Sequence, residues 1–275
     1  MKPAALLASC ATGALAATIP SSPSPQTHRI PTSYESAVLG RRILALTPLG
    51  TVSTVFPSDS APSASENRPA GLAGMPHGLM EYISDCDLSS SGNPTILAIS
   101  VETSFKNAAA GSNVSVSVQW TPVHPPAKRI QGGGGEENKS WLGRAWEYVT
   151  GDEGEVEEGG IADPSTYSAA NLPRFSLLGY IERIEGGDES KELAKCFVKT
   201  HPDAKFWLPG NRIHESHFVR LVVKEVYWIG GFGDRAYIGW IPVEEWNAVT
   251  KEEWSAVTLP GEKKGWKEWS LEGDL

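Results

Sequence analysis

The sequence predicts a mainly β chain with flanking helices (α+β), its strands closing as a barrel. Three observations carry this. Short runs of β-branched or alternating residues recur along the chain. Glycine and proline, 28 and 20 residues, exceed what a helical bundle carries and favour strands joined by turns. The helical stretches are short and interspersed among about six strands, unlike the regular alternation of a βαβ sheet. A length of 275 residues suits one large domain or two small ones, and 40% hydrophobic residues suffice for a core. The formal net charge of −9 repels phosphate backbones and argues against a nucleic-acid partner. No stretch approaches the roughly 20 apolar residues of a membrane span.

The first 16 residues are expected to be a signal peptide. Lys2 is a minimal basic start, Ala4 to Ala16 a small-residue apolar stretch, and Ala14-Leu15-Ala16 fits the A-x-A cleavage pattern. Residues 17–33, rich in Ser, Pro and Thr, are expected to be a linker. Apolar residues at helical spacing from Tyr34 to Leu46 predict a helix ended by Pro48, and Leu49 to Phe56 a first strand. Strands are predicted at Leu79–Cys86 and Thr95–Val101, and a short helix around Ala108–Gly111. From Val114 to Trp120 valines alternate with Ser and Gln, the pattern of a strand with one buried face.

Residues 122–171 break this rhythm. Pro125-Pro126, the Gly132–Gly135 run and the acidic stretch Asp152–Glu158 bury little, so this is expected to be an insertion; Trp141, Leu142, Trp146 and Tyr148 are expected to form a small docking helix within it. Strands then follow at Arg174–Ile184, Phe218–Ile229 and Tyr237–Ile241, with a helix at Ser190–Thr200 stopped by His201-Pro202. The run Gly230-Gly231-Phe232-Gly233 reads as a tight turn needing positive φ. A last helix is predicted over Pro242–Val249 with Pro242 at the first helical position. The tail, 250–275, carries Trp254, Trp266 and Trp269 among charges and is expected either to pack on the surface or to stay loose.

Signal-peptide cleavage would remove Cys10 and leave Cys86 and Cys196, which either pair or persist as buried thiols. Two sequons suit an exported glycoprotein: Asn138-Lys139-Ser140 in a polar stretch, and Asn113-Val114-Ser115, expected to be sterically hindered at a strand entrance. No metal site is expected. No Cys/His spacing suggests zinc, and on a strand His214 and His217 would point to opposite faces. No nucleophile elbow, P-loop or zincin helix is present.

Several segments together resemble the CREG family (cellular repressors of virally stimulated genes) within the pyridoxamine 5'-phosphate oxidase-like barrels. They are RILALTPLGTVSTV at 42–55, Gly78 to Asp85 with Asn93 to Val101, and Asn107 to Trp120. LGYIERI at 178–184, CFVKTHP at 196–202, Phe218 to Ile241 with its Gly-Gly-Phe-Gly turn, and PVEEW at 242–246 follow in order. The resemblance covers 34–249 apart from the insertion. It implies a six-stranded antiparallel split β-barrel of the FMN-binding type, usually homodimeric, with any ligand cleft at the subunit interface.

The same resemblance implies an exported, non-catalytic binding module, because CREG proteins are regarded as non-enzymatic with the flavin cleft filled. A protein or receptor partner, and secretion or delivery to a vacuolar or endolysosomal compartment, are then expected. The tryptophan-rich C-terminal region and the acidic insertion are the expected contact surfaces. The enzymatic alternative is an FMN-dependent oxidoreductase, with Ser104 and Lys106 in Thr103-Ser104-Phe105-Lys106 holding the FMN phosphate. Against it, Ser104 reads equally as a helix N-cap, and Asp85 and Asp87 stand where a second basic group would be. A second alternative is haem, with Tyr237 or His214 as the iron ligand.

Overall fold

The computed structural model describes residues 29–57, 68–87, 89, 91–127 and 167–268. The helix expected within the insertion, the sequon at Asn138 and Trp269 lie outside these residues.

Helix α1 (Ser33–Leu46) opens on a reciprocal capping box, Thr32 accepting from Glu35 N and the Glu35 carboxylate accepting from Thr32 N. It buries Ala37, Ile43 and Leu44 against the barrel. Strands β1 (Leu49–Val55), β2 (Pro76–Ser84) and β3 (Thr95–Ile99) follow. Strand β2 starts three residues before the predicted Leu79. Pro76 is its first residue, where a missing N–H is tolerated, and the proline masks the start in the sequence. Helix α2 (Thr103–Ala109) begins five residues before the predicted Ala108. Its N-cap is Glu102, which makes no side-chain cap bond, so Ser104 lies inside the helix and is not the cap.

Strands β4 (Val114–Gln119) and β5 (Arg174–Arg183) are followed by α3 (Asp188–Thr200), which buries Leu193 and Phe197 one turn apart. The long strand β6 (Ser216–Ile229), β7 (Ile238–Ile241), α4 (Val243–Ala248) and α5 (Lys251–Ala256) complete the chain. Pro242 is the N-cap of α4, one position ahead of the predicted place.

All pairings are antiparallel, in the order β3-β2-β1-β4-β5-β6-β7, and β3 also pairs with β6, so six strands close into a barrel. Strand β6 shares one edge between two partners: Ser216–Arg220 with β3, and Val226–Ile229 with β7 outside the barrel. A register shift at Leu178/Gly179 bends β5 around the barrel. A Cβ on Gly179 would stand 1.9 Å from the Val222 carbonyl oxygen, so the bulge requires glycine. In the β6–β7 turn Gly231 has φ 144°, the positive φ expected for that glycine run.

The interior is filled by Val52, Ile83, Ile96, Val116, Leu177, Leu221 and Val226, drawn from all six strands. A second, smaller core of Leu97, Ile184, Leu193, Phe197, Ala204 and Phe218 lies under α3. Cys86 and Cys196 form a disulfide there, across 110 residues of chain. The segment after residue 249 packs down. Trp254 and Trp266 lie against the main core, Leu259 is buried, and Tyr34 Oη donates to Glu253.

Candidate functional site

Two regions of the barrel carry functional potential: its outer face and the end covered by α2. Alternation puts every second residue of each strand outside, and the register aligns these residues across the sheet. Met80 pairs with Thr51, Thr51 with Ser117, Ser117 with Ser176, Ser176 with Tyr227, and Tyr227 with Trp240. This row crosses six strands without an ionisable carboxyl or amine. Its centre is small hydroxyls, Ser117 Oγ donating to Ser176 Oγ at 3.3 Å. Its ends are large and apolar: Met80 is 70% exposed and Trp240 54%, with the Tyr227 and Trp240 rings 5.1 Å apart. A groove of 810 Å³ runs over the row between Pro48, Met80, Trp120 and Ile229, with Arg174 and Glu262 also in its lining.

Among the described residues three tryptophans are buried and three more, Trp207, Trp254 and Trp266, are partly buried against the cores. Trp120, Trp228 and Trp246 are buried, and of the described tryptophans Trp240 is the exposed one. Trp254 and Trp266 are packed, so the C-terminal segment through residue 268 presents less aromatic surface than its sequence suggests. The sheet face was not legible in the sequence, because Ser and Thr at outward positions look like ordinary solvated strand residues. Only the register shows them adjoining one another.

At the other region, Ser104 is 1% exposed, with its hydroxyl turned into the protein, and Lys106 is half-buried. Residues two apart on an α-helix stand about 200° apart around the axis, so these two do not converge on one phosphate. Glu102, whose carboxyl burial holds above the ordinary range, occupies the N-cap position without a side-chain cap bond. The donor set therefore does not fit an FMN phosphate at this segment.

The two aspartates before β3 are held by cations. Arg41, 1% exposed, lies 4.0 Å from Asp85 and donates to the Trp246 and Val249 carbonyls at 3.2 and 3.3 Å. Burial pushes the Asp85 carboxyl up and the Arg41 guanidinium down, and their mutual attraction opposes both shifts. Burial also works against the Asp87 charge. Hydrogen bonds from Ser89 and Ser91, with Arg220 at 3.6 Å, outweigh it and hold that carboxyl low.

The other sequence candidates are apart. His214 sits in a bend ahead of β6, not on a strand as assumed, and His217 lies within β6. Among the described residues no group of three or more His, Cys, Asp or Glu is arranged to hold a metal ion. His214 and Tyr237 flank opposite ends of the 14-residue β6, about 43 Å long at strand rise. The Tyr237 hydroxyl donates to the Trp240 carbonyl at 2.7 Å. Asn113 is exposed one residue before β4.

Among solved structures, a haem-binding protein from Mycobacterium smegmatis is 19% identical, with TM-score 0.47, over 79% of this chain and 61% of that one. The chain thus spans about three-fifths of that protein's length. An FAD-binding protein from Mesorhizobium loti is 13% identical, with TM-score 0.34, over 67% of this chain and 87% of that one. A putative pyridoxamine 5'-phosphate oxidase from Lactobacillus delbrueckii is 13% identical, with TM-score 0.32, over 68% and 90%. No curated protein matches the chain. The family profile described as "CREG, beta-barrel" matches residues 31–248, which takes in every strand of the sheet and α1 to α4. The chain belongs to the CREG β-barrel family.

Proposed function

We propose that this chain is an exported glycoprotein whose CREG barrel is a non-catalytic binding module, homodimeric through its outer sheet face. The observation that carries the reading is the uncharged row from Met80 to Trp240. A charge-depleted, partly aromatic surface of this extent is what interface cores are made of, whereas a solvated strand face carries charges. Small hydroxyls at its centre let a second sheet approach closely. The disulfide supports export, because such bonds persist in oxidising compartments. The exposed Asn113 supports glycosylation there, and a secreted or vacuolar/endolysosomal destination is what the signal peptide expected over residues 1–16 would give. A protein receptor would engage surface left outside the dimer.

A flavin-dependent oxidoreductase is the competing reading, and the separation of Ser104 from Lys106 weighs against it. Haem is disfavoured by the commitment of the Tyr237 hydroxyl to a backbone carbonyl.

The test is the mass in solution. Light scattering of the purified glycoprotein is expected to give a dimer at micromolar concentration. Ser176→Arg, at the middle of the row, is expected to weaken the dimer at least tenfold, because the charge is desolvated on association. A monomer in the unsubstituted protein, or an unchanged dimer in the variant, would remove this interface.

A further inference from the structure

One end of the outer sheet face carries an open sequon between two apolar neighbours. The pairing of β4 with β5 ends at Val114 opposite Gly179, and that of β1 with β4 at Ser53 opposite Ser115. Continued by one step, the first register sets Asn113 beside Tyr180. Continued by two, the second sets Val55 on its other side, and Val55 pairs with Pro76. Val114, Val116 and Val118 fill the barrel interior, so alternation places Asn113 outside, on the face of Ser115 and Ser117. The observed groove agrees with this register: Asn113, Val55, Pro76, Leu178, Tyr180 and Lys224 all line one groove of 490 Å³. Its volume is in the range of small-ligand sites.

The backbone of the sequon is fixed. The Val55 N–H donates to Ser112 Oγ at 2.8 Å, and the Ser112 hydroxyl donates to the Asn113 carbonyl at 2.7 Å. Tyr180 and Val55 stay open on either side of it, 46% and 44% exposed. Lys224 Nζ, 5.5 Å from the Tyr180 ring centroid, adds a donor to the lining.

We propose that this groove is a carbohydrate seat, in which the first N-acetylglucosamine of a glycan on Asn113 lies against the Tyr180 ring. The inference rests on the glycoprotein part of the reading above and not on the dimer. Transfer from a lipid-pyrophosphate oligosaccharide joins the anomeric carbon to Asn113 Nδ2. The anomeric C–O bond to the carrier breaks, the lipid pyrophosphate leaves, and the amide gives up one proton.

The chemistry of the lining suits a sugar. A pyranose ring presents a face of C–H groups whose slight positive charge meets the negative face of an aromatic ring. Its hydroxyls need polar partners, and Ser53, Ser115 and Lys224 offer them within the same groove. Directly opposed residues on neighbouring strands hold their Cβ atoms about 5 Å apart, so the sugar nearest the amide is the one that reaches the ring. An occupant tethered at the groove's own lining has a high effective concentration there, so even a weak contact is populated. Asn113 stands four residues from Ser117, about 14 Å at strand rise, so a glycan seated on Tyr180 leaves the Met80–Trp240 row uncovered.

The experiment uses the full chain secreted by a eukaryotic host, with Asn138→Gln so that Asn113 is the remaining sequon, and the glycan trimmed enzymatically to its first sugar. Peptide mass mapping reads the occupancy of Asn113. In the proton spectrum, the sugar C–H signals are expected upfield of their positions in the isolated glycopeptide, shifted by the Tyr180 ring current. Tyr180→Ser is expected to return them, and Tyr180→Phe to keep the shift. Asn113→Gln, which removes the glycan, is expected to lower the melting temperature by about 2–4 °C when Tyr180 is present and to have no effect beside Tyr180→Ser. An Asn113 without glycan would overturn the seat together with the glycoprotein reading at this position. An occupied Asn113 whose sugar resonates as in the glycopeptide, or melting losses that add in the double variant, would overturn the seat alone. Should Tyr180→Ser not fold, the comparison of the protein with its glycopeptide needs no substitution of the tyrosine.

Discussion

Removing the Cys86–Cys196 disulfide is expected to cost about 5 kcal/mol of folding stability, the loop-closure figure for a ring of 110 residues. The closed loop contains β3 to β5 and most of α3, so the bond restrains much of the unfolded chain. In the folded state it ties the β2–β3 connection to α3 over the small core of Leu97, Leu193, Phe197 and Phe218. That core has few apolar groups of its own and is the first region expected to loosen. Cys86→Ala with Cys196→Ala avoids burying new hydroxyls at the partly apolar site. The check is the denaturant midpoint of the double variant against the oxidised protein, with the reduced parent as a second comparison. A loss below about 1 kcal/mol would mean the small core holds itself together.

The second large effect is at Arg41. Arg41→Met is expected to destabilise the protein by about 3–5 kcal/mol, the range for breaking one side of a buried ion pair. The guanidinium holds the Trp246 and Val249 carbonyls at the end of α4, lies 5.8 Å from the Trp246 ring centroid, and offsets the buried charge of Asp85. Methionine matches much of the stem but leaves two carbonyls and a carboxylate to be satisfied elsewhere. The neighbourhood is too tight to relax. A Cβ on Gly40 would stand 2.7 Å from the Trp246 ring, and one on Gly92 2.7 Å from Arg41 Nε. Arg29→Met is the control, since Arg29 pairs with Glu35 in the open and its loss should leave the unfolding midpoint in place. If the two variants unfold together, Arg41 is not the tie between α1 and α4.

The β elements were legible wherever one face is buried. The Val114, Val116, Val118 alternation marked β4 to within a residue, and the long β6 declared itself through Val219, Leu221 and Val223. Elements without a propensity signal were misplaced. Helix α2 carries no cap bond at Glu102 and is held by the burial of Phe105, a tertiary contact that local pattern does not reveal. The site was legible in parts only. Ser104 and Lys106 are close in sequence, yet helical geometry sends them to different sides. Met80, Thr51, Ser117, Ser176, Tyr227 and Trp240 become one surface through strand register, a non-local property that no motif records.

The most direct test of a non-catalytic barrel is a titration of the purified, oxidised protein with FMN, read by absorbance near ~450 nm and by melting temperature. The account predicts a colourless protein whose melting temperature does not move with added FMN, because a ligand that binds the native state must stabilise it. A yellow protein, with a saturable rise in melting temperature that Lys106→Ala removes, would contradict it.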